Sequence, residues 1–304
     1  MKRFFAIATA AGLLLAAPDS RAECAMNLKT DLPARVEDGR IFVHGEVDRH
    51  PIDFLVDLAA PTTLLAPAAE RLSLHPDNFR TLNVETQLGH VIVRRLPVTI
   101  ANGMNSLGPQ DAVMILGRDF LYQFDVEFDL KNHVIRLFQP QGCESSNLAY
   151  WTGGYNVADM VRNMTFSKNM VPWDSPFISP HVTIKAKVNG REVLAALDSG
   201  FRWSAVSMGT AHDAGGDTGN NEVAPTQDVL DPGTTQTWLG KFESLAIDQE
   251  NIAPAHLRYH NFGIAASSDM ILGADFFIAH RVLVSYSQRK VYFSYDGGGA
   301  FAMK

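Results

Sequence analysis

Two aspartates, Asp57 and Asp198, are the residues whose chemistry this sequence most clearly indicates. Each follows directly on a run of apolar residues of the kind that forms a buried strand. A carboxylate at the end of such a strand is unfavourable unless it is paired or hydrogen-bonded. Two carboxylates a few ångströms apart cannot both ionise, so they share one proton and titrate as a pair. The ionised member could take a proton from a water molecule and the protonated member could give one to a carbonyl oxygen, which is general acid–base chemistry.

The two aspartates stand at equivalent positions of an internal repeat. Residues 40–65 align with residues 181–206 without a gap, which places Asp57 on Asp198. Each segment alternates at strand period, passes through a tight turn and then runs into its aspartate. The Asn-Gly turn at 189–190 is a strong hairpin signal. Taken alone, Asp57 could instead cap a turn at a strand end. The register with Asp198 favours a pair, whose nearest carboxylate oxygens we expect within about 3–5 Å of each other.

A second repeated block lies downstream in each half. Met114–Phe120 matches Met270–Phe276, and a β-rich tail follows each block. The offset between the halves is larger here than at the aspartates, so the second half carries an insertion, which we place in the polar stretch 212–232. Asp119 and Asp275 also repeat, and we interpret them as structural residues that cap short helices. Helical signals are few, so the repeat predicts an all-β protein of two similar lobes.

The second aspartate motif resembles that of a known family. Ala196–Gly200, with the sequence Ala-Leu-Asp-Ser-Gly, is similar to the hydrophobic-hydrophobic-Asp-Ser/Thr-Gly motif of the retropepsin-like aspartic proteases, and the two Met-Ile-Leu-Gly blocks resemble the family's second motif. The resemblance covers roughly residues 40–138 and 181–294, and the chain looks like the fused, single-chain form found among exported bacterial proteins. It implies two retropepsin-like acid-protease β-barrel lobes related by a pseudo-two-fold axis. It also implies a substrate cleft between the lobes, flap hairpins over the cleft, and no metal or other cofactor.

The first motif departs from this pattern, because Leu58 and Ala59 follow Asp57 where the family has Ser/Thr and Gly. In the family, the hydroxyl after each aspartate donates a hydrogen bond to the opposite loop; Ser199 can do so, and Leu58 cannot. Gly200 matches the family's glycine, whose backbone lies close to the carboxylates, whereas the methyl group of Ala59 is tolerated only at negative φ. The resemblance therefore assigns supporting positions around the pair to Ser199, Gly200, Leu58 and Ala59.

The resemblance implies an endopeptidase that cleaves a polypeptide or peptide substrate through Asp57 and Asp198. An alternative is a catalytically degenerate two-lobed protein that keeps the cleft and binds peptides or another ligand. A third alternative is a purely structural β-protein of the cell envelope, in which the two aspartates lie far apart. Ser199 has no GxSxG surroundings, so a serine nucleophile is disfavoured.

The hairpins that would cover such a cleft are predicted from turn chemistry alone. In the first half, Gly89 and His90 form a plausible hairpin tip between two strand-like segments. In the second half, Asp231–Gly233 is a plausible tip. Trp238 follows it closely enough to be a candidate for the edge of the cleft.

The chain divides into four segments. Residues 1–22 have the pattern of a secretory signal peptide, with basic residues, an apolar run and a small-residue cleavage site. A membrane anchor is the alternative, but the run is shorter than the roughly 20 residues that span a bilayer. We therefore expect an exported, periplasmic protein without a membrane span. The N-terminal lobe is predicted at 23–140, an aromatic-rich linker at 141–178 and the C-terminal lobe at 179–304. The linker aromatics either pack on the lobes or line a ligand groove.

The net charge disfavours one class of binding partner, and the cysteine content indicates the cellular compartment. A net charge of -7 over 304 residues disfavours nucleic acid as a partner, because phosphate binding needs a basic surface. The histidines are scattered without metal-ligand spacing, and we expect a monomer without a metal. Cys24 and Cys143 flank the first lobe and predict a disulfide in an oxidising compartment. Two unrelated thiols are the alternative.

Overall fold

The computed structural model describes residues 23–75, 81–102, 106–108, 112–151, 153–161, 181–217, 222–226, 235–262 and 268–297. The predicted signal peptide, the predicted Asp231–Gly233 tip and residues 162–178 of the predicted linker lie outside this part of the chain. Among the residues described, no helix is long and apolar enough to cross a membrane.

Strands make up nearly all of the regular structure, so the predicted all-β fold class is confirmed. The first part of the chain contains β1 (Ala25–Glu37), β2 (Arg40–Val47), β3 (His50–Val56), β4 (Thr63–Leu65), α1 (Ala66–Arg71), β5 (Thr81–Leu88), β6 (Val91–Ala101), β7 (Ala112–Leu116), α2 (Arg118–Leu121), β8 (Asp125–Asp129), a 3₁₀ turn (Leu130–Asn132), β9 (Val134–Gln141) and β10 (Asn156–Asp159). The second part contains β11 (Thr183–Val188), β12 (Arg191–Leu197), β13 (Ala205–Ser207), α3 (Met208–Asp213), β14 (Glu222–Thr226), β15 (Thr235–Phe242), β16 (Leu245–Ile247), β17 (Glu250–Ile252), β18 (Ala255–His260), β19 (Met270–Leu272), α4 (Ala274–Ala279), β20 (His280–Ser285) and β21 (Lys290–Tyr295).

The first lobe is a barrel with the strand order β2-β3-β7-β4-β6-β5, closed by the pairing of β5 with β2. Alternating apolar side chains fill its interior, and Val43 and Phe54, which lie opposite each other on β2 and β3, are completely buried there. Strands β3 and β7 run parallel, with Val56 opposite Leu116. Because parallel strands end at the same edge of a sheet, Asp57 leaves the barrel directly beside the end of β7.

The second lobe repeats these strand pairings in a curled sheet, for which no closing pairing is found among the described residues. Strand β12 runs parallel to β19, β19 antiparallel to β13, and β13 parallel to β18. Leu197 lies opposite Leu272, so Asp198 leaves the sheet beside the end of β19. Strand β16 follows β15 after two residues and pairs with β11, as β5 pairs with β2 in the first lobe. The repeat found in the sequence is therefore a repeat of structure.

The residues inserted in the second half lie between α3 and β15, within the region where the sequence predicts them. Strand pairing identifies the equivalent positions on either side of the insertion. In the first lobe, Thr63 and Thr81 pair with the same residue of β6, and in the second lobe Ala205 and Leu239 pair with the same residue of β18. The first two are 18 residues apart (63 to 81) and the second two are 34 apart (205 to 239). The longer segment contains β14, which pairs with β15 as a hairpin.

A second sheet joins the two lobes, with the strand order β10-β21-β20-β8-β9-β1 (the joining sheet). At its centre β8 pairs with β20, so that Val126 lies opposite Val284 and Phe128 opposite Val282. The pseudo-two-fold axis passes between these strands, because β9 and β21 and then β1 and β10 follow on either side. Phe128 packs on Phe277 of α4 at 4.7 Å between ring centroids, which connects the joining sheet to the apolar core.

The start of the predicted linker packs on the joining sheet. The predicted disulfide between Cys24 and Cys143 is present and attaches this segment to the beginning of β1. The guanidinium of Arg281 lies over the rings of both Tyr150 and Trp151, at 5.2 and 4.8 Å. These two aromatic side chains therefore pack on the sheet rather than line a groove. Strand β10 also falls within the predicted linker, where the sequence analysis expected no strand.

Candidate active site

Asp57 and Asp198 begin two loops that the repeated framework holds in the same way. The N–H of Asp57 donates to the last carbonyl of β7 at 3.1 Å, and the N–H of Asp198 donates to the last carbonyl of β19 at 2.9 Å. We refer to residues 57–62 as the first loop and to residues 198–204 as the second loop. The strand pairs β3–β7 and β12–β19 thus place each aspartate at the edge of its sheet where both strands of the pair end.

Behind each loop, another carboxylate holds the loop's last residue. Oδ1 of Asp119 accepts hydrogen bonds from the N–H of Thr62 at 2.8 Å and from its hydroxyl at 2.6 Å. Asp275 holds Ser204 in the same manner at 2.8 and 2.6 Å, and burial raises the pKa of Asp275 to about 6. Both aspartates are structural, as predicted. They hold the loops instead of capping the helices, whose N-cap residues are glycines.

Ser199 makes a hydrogen-bonded contact from the second loop to the first. Its buried hydroxyl donates to the carbonyl oxygen of Val56 at 2.8 Å and accepts from the N–H of Leu58 at 3.1 Å. Val56 and Leu58 are the two neighbours of Asp57, so Ser199 holds the backbone on both sides of that aspartate. Leu58 is fully buried and has no hydroxyl with which to make the reciprocal contact.

Gly200 brings the second loop against the carboxylate of Asp57. A Cβ atom at Gly200 would lie 2.1 Å from Oδ2 of Asp57, much closer than two such atoms can approach, so only glycine fits. Asp57 itself is 3% exposed. The structure therefore brings Ser199 and Gly200, two of the predicted supporting residues, to the first of the two aspartates.

The two loops differ in length by one residue. Thr62 follows Asp57 by five positions, whereas Ser204, which occupies the equivalent place, follows Asp198 by six. The gap-free alignment of the sequence analysis is therefore wrong beyond the aspartates, because a one-residue difference in a short loop leaves the flanking strand pattern unchanged.

Each aspartate accepts hydrogen bonds from the backbone of its own loop. Oδ1 of Asp57 accepts from the N–H groups of Ala59 at 2.7 Å and Ala60 at 2.9 Å. Oδ1 of Asp198 accepts from the N–H of Phe201 at 3.0 Å. Ala59 lies outside the positive-φ region, so its methyl group causes no backbone strain where the family has glycine.

Arg118 is a site residue that the sequence analysis missed. Its guanidinium donates to the carbonyl oxygen of Ala59, and its backbone N–H donates to the carbonyl oxygen of Ala60 at 2.8 Å. Burial lowers the pKa of Arg118. Burial, together with the charge of Arg118, lowers the pKa of the neighbouring His181 to about 4. A signal was present in the sequence, since the second Met-Ile-Leu-Gly block continues with Ala274 where the first continues with Arg118.

Arg202 attaches the second loop to the first lobe at another point. Its Nε donates to the carbonyl oxygen of Asp38 at 2.5 Å, and its guanidinium forms an ion pair with the carboxylate of Asp38. Asp38 belongs to the turn between β1 and β2. The second loop is therefore bonded to the first lobe both at Ser199 and at Arg202, and the sequence offered no signal for the latter because Arg202 lies where the two loops differ in length.

The predicted flap tip of the first lobe is wrong in its position. Gly89 and His90 do form a hairpin tip between β5 and β6, but the tip packs on β1. The N–H of His90 donates to Oγ1 of Thr30 at 3.2 Å, and a Cβ on Gly89 would lie 2.1 Å from the same oxygen. Thr30 pairs with Leu137 in the joining sheet. Turn chemistry identifies a hairpin but does not say against which surface the hairpin packs.

Trp238 lies on β15 of the hairpin that the second half adds. Its ring stacks on Tyr259 at 5.7 Å and is half-buried against the core of the second lobe. Its position at the edge of a cleft stays a prediction. Within the described ranges, no group of three or more histidine, cysteine or acidic side chains is arranged to hold a metal ion.

Comparison with solved structures shows which fold this is. An aspartic proteinase from Irpex lacteus aligns over 88% of this chain and 97% of its own, with a TM-score of 0.52 and 11% identity. Basic 7S globulin from soybean aligns over 89% and 95%, with a TM-score of 0.47 and 10% identity. A retropepsin-like aspartic protease from Rickettsia conorii aligns over 39% and 94%, with a TM-score of 0.28 and 18% identity. No model of a protein family and no curated protein matches the sequence. At 11% identity the first similarity is one of fold, and it confirms the two-lobed architecture of aspartic proteases.

Proposed function

We propose that this chain is an aspartic endopeptidase in which Asp57 and Asp198 form a carboxylate pair that activates a water molecule. The observation that carries the proposal is the position of Gly200. This glycine follows Asp198 by two residues, and its backbone lies so close to the carboxylate of Asp57 that no side chain fits between them. Two strand-end aspartates whose loops meet in this way favour a shared proton. The fold, which is that of an aspartic proteinase, supports the same proposal.

In the proposed reaction the two carboxyl groups supply both the base and the acid. The ionised carboxylate takes a proton from water while the water oxygen bonds to the carbonyl carbon of the scissile peptide. The protonated carboxyl gives its proton to the carbonyl oxygen. The carboxyl that took the proton from water then gives it to the amide nitrogen as the C–N bond breaks. One hydroxyl of the gem-diol intermediate returns its proton to the other carboxylate, so the pair again holds one proton.

Cleavage of a broad library of extended peptides tests this proposal. Asp57→Asn and Asp198→Asn should each slow cleavage by at least about 10²-fold, since asparagine cannot hold or release the shared proton and general acid–base catalysis contributes about 10²–10⁴-fold. Asp213→Asn is the matched control, because Asp213 is half-exposed on α3 and pairs with Arg191. Its rate should equal that of the unchanged protein. Cleavage that persists in Asp198→Asn would exclude the proposed pair.

A second candidate function, peptide or ligand binding without cleavage, is favoured by Leu58. This buried side chain cannot make the reciprocal hydrogen bond that Ser199 makes. The double change Leu58→Ser with Ala59→Gly restores the Asp-Ser-Gly pattern and should increase cleavage if the first loop is a catalytic half that lacks this contact. If neither protein cuts any peptide while the native protein still binds peptides, binding replaces hydrolysis as the function. Thermal unfolding is measured alongside, since Leu58 is packed in the core.

We also propose that the protein is exported to the periplasm and acts as a monomer with lobes at 23–140 and 179–304. The Cys24–Cys143 disulfide supports export, because structural disulfides persist in oxidising compartments. The intact mass of protein recovered from the periplasm should correspond to a chain that lacks residues 1–22 and has no free thiol. Sedimentation should give the mass of a single chain.

A further inference from the structure

We propose that Arg118 makes the two aspartates unequal, so that Asp57 is the ionised member of the pair and the shared proton resides on Asp198. The inference rests on the proposed function, and it divides the base and acid roles between two residues that the repeat makes equivalent. Arg118 acts in it as a positioning residue, since it acts on Asp57 through the backbone of the first loop.

The contacts of Arg118 place its charge one peptide group away from the Asp57 carboxylate. Its guanidinium donates to the carbonyl oxygen of Ala59, and its N–H donates to that of Ala60. The N–H groups of Ala59 and Ala60 in turn donate to Oδ1 of Asp57. Each of these two N–H groups points the positive end of its peptide dipole at the carboxylate, and the peptide group between Ala59 and Ala60 also accepts from the guanidinium of Arg118 through its C=O. Both the arginine and the dipoles therefore stabilise the ionised form of Asp57.

The ionisable groups around Arg118 include one carboxylate besides Asp57, that of Asp119, which offsets part of the charge of Arg118. The charge of Arg118 interacts with Asp57, with Asp119 on the same helix and with Tyr286 after β20. Asp119 is hydrogen-bonded to Thr62, and burial raises the pKa of Tyr286, so that Tyr286 is neutral at physiological pH. His181 is neutral above about pH 4. Because Arg118 is partly buried, its attraction for Asp57 is screened less than that of a fully exposed charge.

The second lobe has the same backbone contact without the charge. The N–H of Ala274 donates to the carbonyl oxygen of Phe201 at 2.7 Å, as Arg118 donates to Ala60, but the side chain of Ala274 is a buried methyl group. The nearby arginines of the second lobe have other interactions. Arg202 pairs with Asp38, and Arg258 lies over the ring of Trp203 at 4.8 Å. The helix that follows the second loop, α4, therefore contains no basic residue at the position of Arg118.

A titration of the carboxyl carbons tests the inference without relying on catalysis. Protein labelled with ¹³C at the aspartate carboxyl carbons is titrated by NMR, and the Asp57 and Asp198 signals are assigned with Asp57→Asn and Asp198→Asn. In the native protein Asp57 should ionise at lower pH than Asp198. Ionisation of Asp198 at a lower pH than Asp57 would overturn the inference. This comparison is made with Arg118 in place.

Replacement of the arginine then tests the cause. In Arg118→Met the midpoint of Asp57 should move to higher pH, because the stabilising cation is gone. Arg118→Lys keeps the charge and should retain the native order of ionisation. Arg94→Met removes one exposed positive charge from β6 and should leave both midpoints unchanged. Equal midpoints for Asp57 in the native protein and in a folded Arg118→Met protein would overturn the inference, and thermal unfolding of each variant shows whether it is folded.

The activity assay separates this inference from the proposed function. If the native protein cleaves peptides, the acidic limb of its pH profile should move up by about half a pH unit or more in Arg118→Met, since the base must be ionised. If it cleaves no peptide but its aspartates titrate in the expected order, hydrolysis is excluded as the function while the unequal pair remains. Cleavage with an acidic limb that does not move would exclude Arg118 as the cause of the inequality.

Discussion

The first and second loops start from equivalent aspartates on equivalent strands, yet they are held differently. The backbone around Asp57 is bonded from outside by two side chains, the hydroxyl of Ser199 and the guanidinium of Arg118. The second loop is one residue longer, and it sends Arg202 to Asp38 in the first lobe. The framework behind both loops is nearly identical, down to the distances from Asp119 and Asp275.

This difference shows how a duplicated fold can place identical side chains in different surroundings. The repeated strands determine where each carboxylate lies, because the pairs β3–β7 and β12–β19 end at the same edges. The residues that follow the strands are not repeated, and they determine how each carboxylate is surrounded. Each of the following experiments alters one of these unrepeated residues or one of their repeated supports.

Gly200→Ala should have the largest effect. The added methyl group would lie 2.1 Å from Oδ2 of Asp57, so one of the two loops has to move. We expect peptide cleavage to fall by about 10²-fold or more, because a displacement of about 1 Å is enough for such a loss. The matched change Ala59→Gly alters the equivalent position of the first loop and should cost about 1 kcal/mol or less in unfolding free energy. Similar losses of peptide cleavage from Gly200→Ala and Ala59→Gly would mean that the two loops are equivalent.

Ser199→Ala tests the hydrogen bonds from the second loop to the first, which have no counterpart from Leu58 to the second loop. Removal of the hydroxyl leaves the N–H of Leu58 and the carbonyl of Val56 without this buried partner. The free energy of unfolding should decrease by about 1–3 kcal/mol, measured by denaturant titration. Ser106→Ala, at an exposed serine, is the control and should change it by less than about 0.5 kcal/mol. A decrease as small as the control's would show that the contact does not stabilise the protein.

Asp275 should make stability depend on pH. Its pKa is raised from 3.8 to about 6, so the folded chain binds this proton more tightly than the unfolded chain does. The contribution of this group to the free energy of unfolding is therefore largest below pH 3.8 and decreases as pH rises towards about 6, by about 3 kcal/mol for a shift of about two pKa units. Asp275→Asn should remove that part of the decrease in thermal unfolding across this range. An unchanged slope in the variant would exclude Asp275 as its source. The same replacement at Asp119 gives the comparison in the first lobe.

Arg202→Ala should have the smallest effect. The ion pair with Asp38 is partly exposed, and such pairs contribute about 0.2–1 kcal/mol. A double-mutant cycle with Asp38→Ala isolates the pair, and its coupling energy should shrink as salt is added. A coupling well above 1 kcal/mol would mean that the second loop depends on this contact as much as the first loop depends on Ser199.

The fold was predictable because its evidence is spread over long stretches of sequence. Strand-period alternation occurs in both halves, and the same apolar run ends in Asp57 and in Asp198. The disulfide was predictable because two cysteines in a chain with the pattern of an exported protein have few alternatives. The joining sheet was not, since the pairing of β8 with β20 depends on contacts between residues more than 150 positions apart.

The details of the candidate site were less accessible from sequence. The roles of Ser199 and Gly200 came from the family resemblance, and their contacts with the first loop agree with them. Arg118 was visible as a difference between the repeated blocks, but no local pattern shows that its guanidinium turns back to Ala59. The tip at Gly89 was misplaced because its packing on Thr30 is a tertiary contact.

The joining sheet has a consequence for the order in which the protein is made. Phe128 can meet Val282 only after 154 further residues have been synthesised (128 to 282). The backbone of Asp198 likewise waits for the last residue of β19, Leu272. A growing chain therefore carries both carboxylates long before it can bring them together, and contacts of such long range form slowly. If the protein is a protease, its synthesis must be nearly finished before it becomes competent, and this delay would spare the machinery that makes it.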